Sequence, residues 1–151
     1  MRKAEARVEI AAPIDRVWQV MLDVGRYGEW NPFLVRIDTG EAARVGTELK
    51  LQVKWARGGG ARSKERITRL EPPSAGKATL EYVFLGPLAA LRAVKASRLQ
   101  TLSQEGGGPT VYHTYEEFGG WLAFALPLAD VQAGFEAHAR ALKARAESSG
   151  G

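Results

Sequence analysis

The sequence predicts an α+β fold in which a curved antiparallel sheet grips one long helix. Three observations predict it. Lys3 to Ile10 alternates like a strand and gives way, after Pro13, to helical spacing. Strand-like segments separated by Gly-rich turns fill the middle of the chain. A single amphipathic stretch then closes it. With 151 residues the chain reads as one domain, and a domain of that size buries roughly 70% of the surface its unfolded chain exposes.

The elements follow in order. Ala4, Ala6, Val8 and Ile10 alternate with Lys3, Glu5, Arg7 and Glu9, the mark of a half-buried strand. Pro13 suits a first helical turn, where its missing N–H costs nothing. Asp15 then lies near the positive end of the helix dipole. Ile14, Val17, Trp18, Met21 and Leu22 form one apolar stripe, and Gly25 is expected to end that helix. A short turn through Tyr27 leads to Trp30-Asn31-Pro32-Phe33, whose proline forces extended backbone before it. Strands are expected from Phe33 to Asp38 and from Thr47 to Trp55. Gly58-Gly59-Gly60 reads as a hairpin turn. The returning strand, Arg62 to Leu70, should stop at Pro72-Pro73. Lys77 to Phe84 follows, with Leu80, Tyr82 and Phe84 on one face. Leu91 to Ser103 is compatible with a helix or a strand. The strand is preferred because Gly106-Gly107-Gly108-Pro109 follows it as a turn. Thr110 to Phe118 is the last strand. The closing helix runs from about Asp130 to Glu147, with Val131, Phe135, Ala139 and Leu142 on its stripe. Ser148 to Gly151 is expected to fray.

Composition excludes several chemistries. No cysteine is present, which removes disulfides, thiol nucleophiles and zinc–thiolate sites. His113 and His138 are the two histidines, and their spacing supports no metal site. No Ser-His-Asp pattern occurs, and neither glycine triplet has the Lys-Ser/Thr and helix of a phosphate loop. Nothing in the pattern requires a cofactor. No segment approaches the about 18 apolar residues of a membrane span, and the charged N-terminus has no signal-peptide core. A cytoplasmic protein is expected. The net charge of +4 is mild. Much of it lies in Lys54, Arg57, Arg62, Lys64, Arg66 and Arg69, which face only Glu65 along that stretch. Such a basic hairpin is either a solvated edge that resists aggregation or an attraction for anions or nucleic acid. It lacks the interleaved aromatics of a nucleic-acid reader.

Several motifs together resemble a known family. They are Ile10-Ala11-Ala12-Pro13 with Val17-Trp18, Asp23 with Tyr27 and Trp30-Asn31-Pro32-Phe33, Glu116-Glu117-Phe118-Gly119-Gly120, and Phe135 with Ala141-Leu142-Lys143 and Ala146-Glu147. The chain resembles the START-like (Bet v 1-like, SRPBCC) superfamily, within it the bacterial polyketide cyclase/dehydrase and lipid-transport group. The resemblance implies a helix-grip fold: a seven-stranded antiparallel sheet around a long C-terminal helix, two short helices after the first strand, and a cavity between sheet and helix. It implies one START-like domain over residues 1–147. It also implies binding of hydrophobic small molecules, lipid- or polyketide-like. Relatives include aromatase/cyclases, whose pocket Arg, Tyr and Trp residues steer an enolate and assist water loss, and non-enzymatic helpers of protein or membrane complexes. All three functions stay open, and no catalytic residue or oligomeric state can be assigned.

The candidate ligand-binding residues are largely aromatic, because apolar pockets with a few polar anchors are the usual small-molecule site. Trp30, Phe33, Trp55, Tyr82, Phe84 and Phe135 are expected around the cavity, with the Phe118-Trp121-Phe124 group beside them. Leu99 joins them from the penultimate strand and Leu142 from the closing helix. If Tyr112 points inward, Thr114 and Glu116 do so by period two, and His113, Tyr115 and Glu117 face out. An inward Glu116 must be paired or protonated, and Arg66 or Arg98 could partner it. It would serve as a ligand anchor, a proton-transfer group or a structural ion pair. His138 sits beside the helix stripe, either as a general base or as a border histidine satisfied by its neighbours.

Overall fold

Residues 2–148 are described by the computed structural model. The expected frayed tail therefore falls outside the described residues except for Ser148. That residue bonds back to the last helix, through its N–H to the Ala144 carbonyl and its hydroxyl to the Arg145 carbonyl.

Alternation decides β1, Arg2–Ile10, which buries Ala4, Ala6 and Ile10 and turns its charges outward. Pro13 caps α1, Ile14–Leu22. This helix stops before Gly25, not at it. Asp23 leaves helical geometry at φ −81° and ψ 64°, and Gly25 falls inside a short 3₁₀ helix, Val24–Glu29. The Tyr27 hydroxyl donates to the Met21 carbonyl at 2.6 Å and folds that segment back onto α1.

The strands continue as β2, Leu34–Asp38, β3, Glu48–Lys54, and β4, Gly60–Ser74. Phe33 precedes β2, its N–H bonded to the Asn31 side chain and its carbonyl accepting from the Lys54 N–H. Trp55 leaves β3 because its N–H bonds Gly59 within the glycine turn. Pro72-Pro73 does not end β4. The β4 register against its neighbour shifts between Glu71 and Ser74, so the prolines lie where the ladder needs no donor.

Next come β5, Lys77–Phe84, and a single helical turn, α2, Pro87–Ala90. The expected long segment from Leu91 is shortened, since β6 spans Lys95–Gln104. Pro87 nucleates the helical turn, and Arg92 adopts a left-handed φ of 56° before the strand can start. The last strand, β7, is Thr110–Gly119, and α3, Leu128–Glu147, closes the described chain.

All seven strands form one antiparallel sheet in the order β1-β7-β6-β5-β4-β3-β2. Consecutive strands neighbour each other, except that β1 closes beside β7. The sheet curls around α3, which buries Phe135, His138, Ala139, Leu142 and Ala146 against it. This is the helix-grip architecture the motifs imply.

One close approach fixes where α3 crosses. Phe33 lies directly on Gly134, and a Cβ added there would meet the ring carbons at 2.2 Å. Gly134→Ala should therefore destabilise the protein, although alanine is the better helix former by about 1 kcal/mol. Overpacking typically costs about 1–3 kcal/mol. Leu142 is 0% exposed, and Leu142→Ala should cost about 2–5 kcal/mol. Arg140→Ala, on the exposed side, should change stability by less than about 0.5 kcal/mol. Urea titration of the three variants checks all of this.

Candidate functional site

Asn31 begins the site. Its side-chain oxygen accepts the N–H groups of Phe33 and Leu34, each at 2.9 Å. That turn throws Phe33 inward, where it meets Phe135 edge-on at 5.9 Å and Trp55 at 6.1 Å. Behind these rings lies a cavity of about 260 Å³ between the sheet and the N-terminal half of α3. Leu51, Val53, Tyr82, Phe84, Phe118 and Val131 supply much of its apolar wall. Three buried charged residues, Glu65, Arg98 and Glu116, also line it.

Arg98 is 2% exposed and spends its donors on neutral groups. Nε bonds Thr114 Oγ1 at 2.8 Å, and Nη1 bonds the Tyr82 hydroxyl at 3.3 Å. Nη2 reaches the Tyr112 hydroxyl at 3.4 Å and His138 Nδ1 at 3.3 Å. Gln100 links the two tyrosines, donating to Tyr82 and accepting from Tyr112. The guanidinium carbon lies 4.1 Å from the centre of the Phe135 ring, a cation–π contact. Because arginine only donates, His138 Nδ1 must be an acceptor, so the imidazole is neutral with its proton on Nε2. Burial, then the Arg98 charge, holds the His138 pKa well below its usual range. Its Nε2 has no hydrogen-bond partner, and Tyr27 and Trp30 pack against the ring in T-shaped fashion.

The two carboxyls are 8% exposed each. Glu116 stands opposite Arg98 across the β6–β7 ladder, yet no ion pair joins them among the described residues. Burial raises the Glu116 pKa to about 7, with the Arg98 charge opposing. Burial, reinforced by Glu116, raises Glu65 to about 8 against a hydrogen bond from Ser63 and the charge of Arg98. Ser63 bonds Glu65 Oε1 at 2.8 Å, and Oε2 has no partner among the described residues.

The candidate residues divide by place. Phe33, Trp55, Tyr82, Phe84, Glu116 and Phe135 reach the cavity. Tyr112, Thr114 and His138 stand behind it and hold Arg98, so Tyr112 is not among the lining side chains. Leu142 is buried in the core away from the lining. Trp30 borders a separate surface depression with Arg16 and Arg145. Leu99 faces the opposite side of the sheet beside Val83 and Tyr115, because β6 turns Arg98, Gln100 and Leu102 inward. Trp121 and Phe124 do not line the cavity; they are 64% and 72% exposed. Gly120, at φ +96°, swings the chain off β7 there, and its missing Cβ leaves room for the Ala93 carbonyl. Leu88 and Leu91 are exposed as well, and the Trp121 indole N–H donates to the Leu91 carbonyl.

Glu65 is the residue sequence reasoning missed. It is not the acid that offsets the basic hairpin. It points inward with Ile67, while Arg66 and Lys64 pair with Glu48, Arg69 with Glu71 and Arg57 with Asp130. Arg66, exposed on that face, is no partner for Glu116. Period two placed Glu65 inside beside Ile67; the surrounding charges hid it. Among the described residues no group of three potential metal ligands occurs, and no helix is long and apolar enough to cross a membrane.

The carboxyls carry a pH signature. Their folded-state pKa values exceed the ordinary 4.5, so the folded state binds more protons between those limits and stability falls as pH rises through them. His138 acts oppositely, costing stability only below about pH 6.5. Between about pH 6.5 and 8.5 the urea midpoint should therefore fall with pH. Glu65→Gln should flatten that slope.

The sequence matches, over residues 1–147, the family described as polyketide cyclase / dehydrase and lipid transport. No curated protein gives a match. Solved structures show the same fold at low identity. The ZhuI aromatase/cyclase of Streptomyces sp. R1128 is 22% identical, with a TM-score of 0.77 over 97% of this chain and 93% of that one. A hypothetical protein of Helicobacter pylori is 13% identical, with a TM-score of 0.78 over 97% and 88%. A START superfamily protein of Mycobacterium smegmatis is 19% identical, with a TM-score of 0.71 over 97% and 98%. With its curled seven-stranded sheet, gripped helix and sequence match over residues 1–147, this chain belongs to the polyketide cyclase / dehydrase and lipid-transport family.

Proposed function

We propose that the protein, as a single START-like domain, binds a hydrophobic or amphipathic small molecule of lipid or polyketide kind in the cavity beneath α3. One observation carries this: a cavity of about 260 Å³ with an apolar wall and a polar end made by Arg98, Glu65 and Glu116. That volume exceeds the about 150 Å³ that holds benzene and approaches the about 300 Å³ where drug-sized sites begin. Burial of ligand surface would supply affinity at about 25 cal/mol per Å². The polar end would fix orientation.

A second reading is favoured by the carboxyls themselves. A carboxyl with a pKa near neutrality can take or give a proton at physiological pH. Glu116 would take a proton next to a ligand carbonyl, and protonated Glu65 would give one to a departing hydroxyl. That is the chemistry of a cyclase or dehydratase. The likeness to an aromatase/cyclase fold supports it, without supplying a matched catalytic residue.

Two variants separate packing from binding. Phe135→Ala should weaken binding of a hydrophobic fluorescent dye several-fold, because its ring lines the cavity and covers Arg98. Leu99→Ala, on the outer face, should leave dye affinity unchanged. Equal dye affinity in the wild type and in Phe135→Ala, with both folded, would contradict the reading.

A further inference from the structure

We propose that the cavity selects a ligand with an apolar body and one cationic head, an alkyl- or arylammonium group, whose charge replaces a proton carried by Glu65 or Glu116. This rests on the cavity-binding reading above.

The geometry carries it. Glu65 enters from β4 and Glu116 from β7, with Arg98 on the strand between β7 and β5. Arg98 could have neutralised either acid. Its donors go instead to Thr114, Tyr82, Tyr112 and His138. Glu65 Oε2 is buried with no partner among the described residues. No hydrogen bond reaches the Glu116 carboxyl among the described residues. Among the described residues the pair thus faces the cavity with one hydrogen bond from the protein, Ser63 to Glu65 Oε1.

Charge balance then selects the occupant. Buried charge is tolerated only when compensated. Arg98 supplies one positive charge, so the empty cavity is neutral when one of the two carboxyls is protonated. An ammonium head brings three donors and no acceptor. With it bound, both carboxyls ionise and two positive charges meet two negative ones. A carboxylate head would oppose both acids. A hydroxyl head would leave the carboxyl proton in place.

The other groups around the pair do not upset this balance. Tyr82 on β5 stays neutral, its pKa raised by burial. Tyr112 on β7 is likewise raised. His138 on α3 is neutral and lies behind Arg98. From β3 only Leu51 and Val53 face the cavity. Arg62 at the rim is exposed to solvent, as is the Arg57 side of its pair with Asp130.

Calorimetric titration of the full chain with naphthylethylamine, naphthylethanol and naphthylpropionate tests this. The runs use about pH 6 and about pH 8, in two buffers of different ionisation enthalpy. The amine should bind about tenfold tighter than the alcohol at the higher pH and lose that advantage at the lower, releasing about one proton per ligand near pH 7.5. Glu65→Gln and Glu116→Gln, isosteric and relieved of a buried charge, should each weaken the amine about tenfold and remove its preference over the alcohol. Equal affinities for amine and alcohol without proton release would overturn the inference while keeping cavity binding. Tightest binding of the propionate would do the same. If none of the three binds, the cavity reading itself fails and takes this one with it.

Discussion

A guanidinium taken out of water must satisfy its donors and find compensating charge, and Arg98 imposes both demands on its surroundings. The donor demand is met by neutral groups: Thr114 and Tyr112 from β7, Tyr82 from β5 and His138 from α3. Those bonds tie the last helix to the middle of the sheet through one side chain. They also fix the His138 tautomer and aim the tyrosine hydroxyls. The charge demand is met by Glu65 and Glu116, which stand near without bonding to it. The wall of the cavity is thus an electrostatic compromise, and that compromise leaves two acceptors facing the empty space. Replacing such a cluster with apolar side chains is often neutral or stabilising in other proteins. Its presence here fits a binding role better than a purely structural one.

The fold was legible because it rests on patterns the chain repeats. Alternation in Lys3–Ile10 and Lys77–Phe84, the glycine turn at Gly58–Gly60 and the stripe through Phe135 and Leu142 each correspond to an observed element. Errors arose where a local rule yielded to its surroundings. Proline alone predicts a strand end, but Pro72-Pro73 sits in a bulge where no donor is needed. Gly25 alone predicts a helix stop, but the helix already breaks at Asp23.

The site was less legible, and the cause is physical. Apolar character alone favours Leu99 on β6, and Arg98 enters the sequence reading only as a possible partner of Glu116. The inward side of β6 carries Arg98 and Gln100, polar residues that a strand buries only when other elements supply partners. Those partners come from β5, β7 and α3, far away in sequence. Glu65 is obscured the same way, by the basic neighbours that face outward from β3 and β4. Alternation contained the answer in both cases, since Arg98 shares parity with Leu102 and Glu65 with Ile67. Burial of a charge is a tertiary property, and one strand alone does not reveal it.

Phe33, seated on Gly134 and held by Asn31, keeps α3 at a fixed distance from the sheet. Leu88, on α2, reaches the cavity wall, and Trp121 bonds the Leu91 carbonyl just after that helix. Burial beside Arg98 holds the Glu65 and Glu116 carboxyls near neutrality in pKa. Carbon-13 NMR titration of the side-chain carboxyl carbons tests it directly. The account predicts two coupled transitions with midpoints near 7 and 8. Two carboxyls titrating together at the ordinary 4.5 would contradict it.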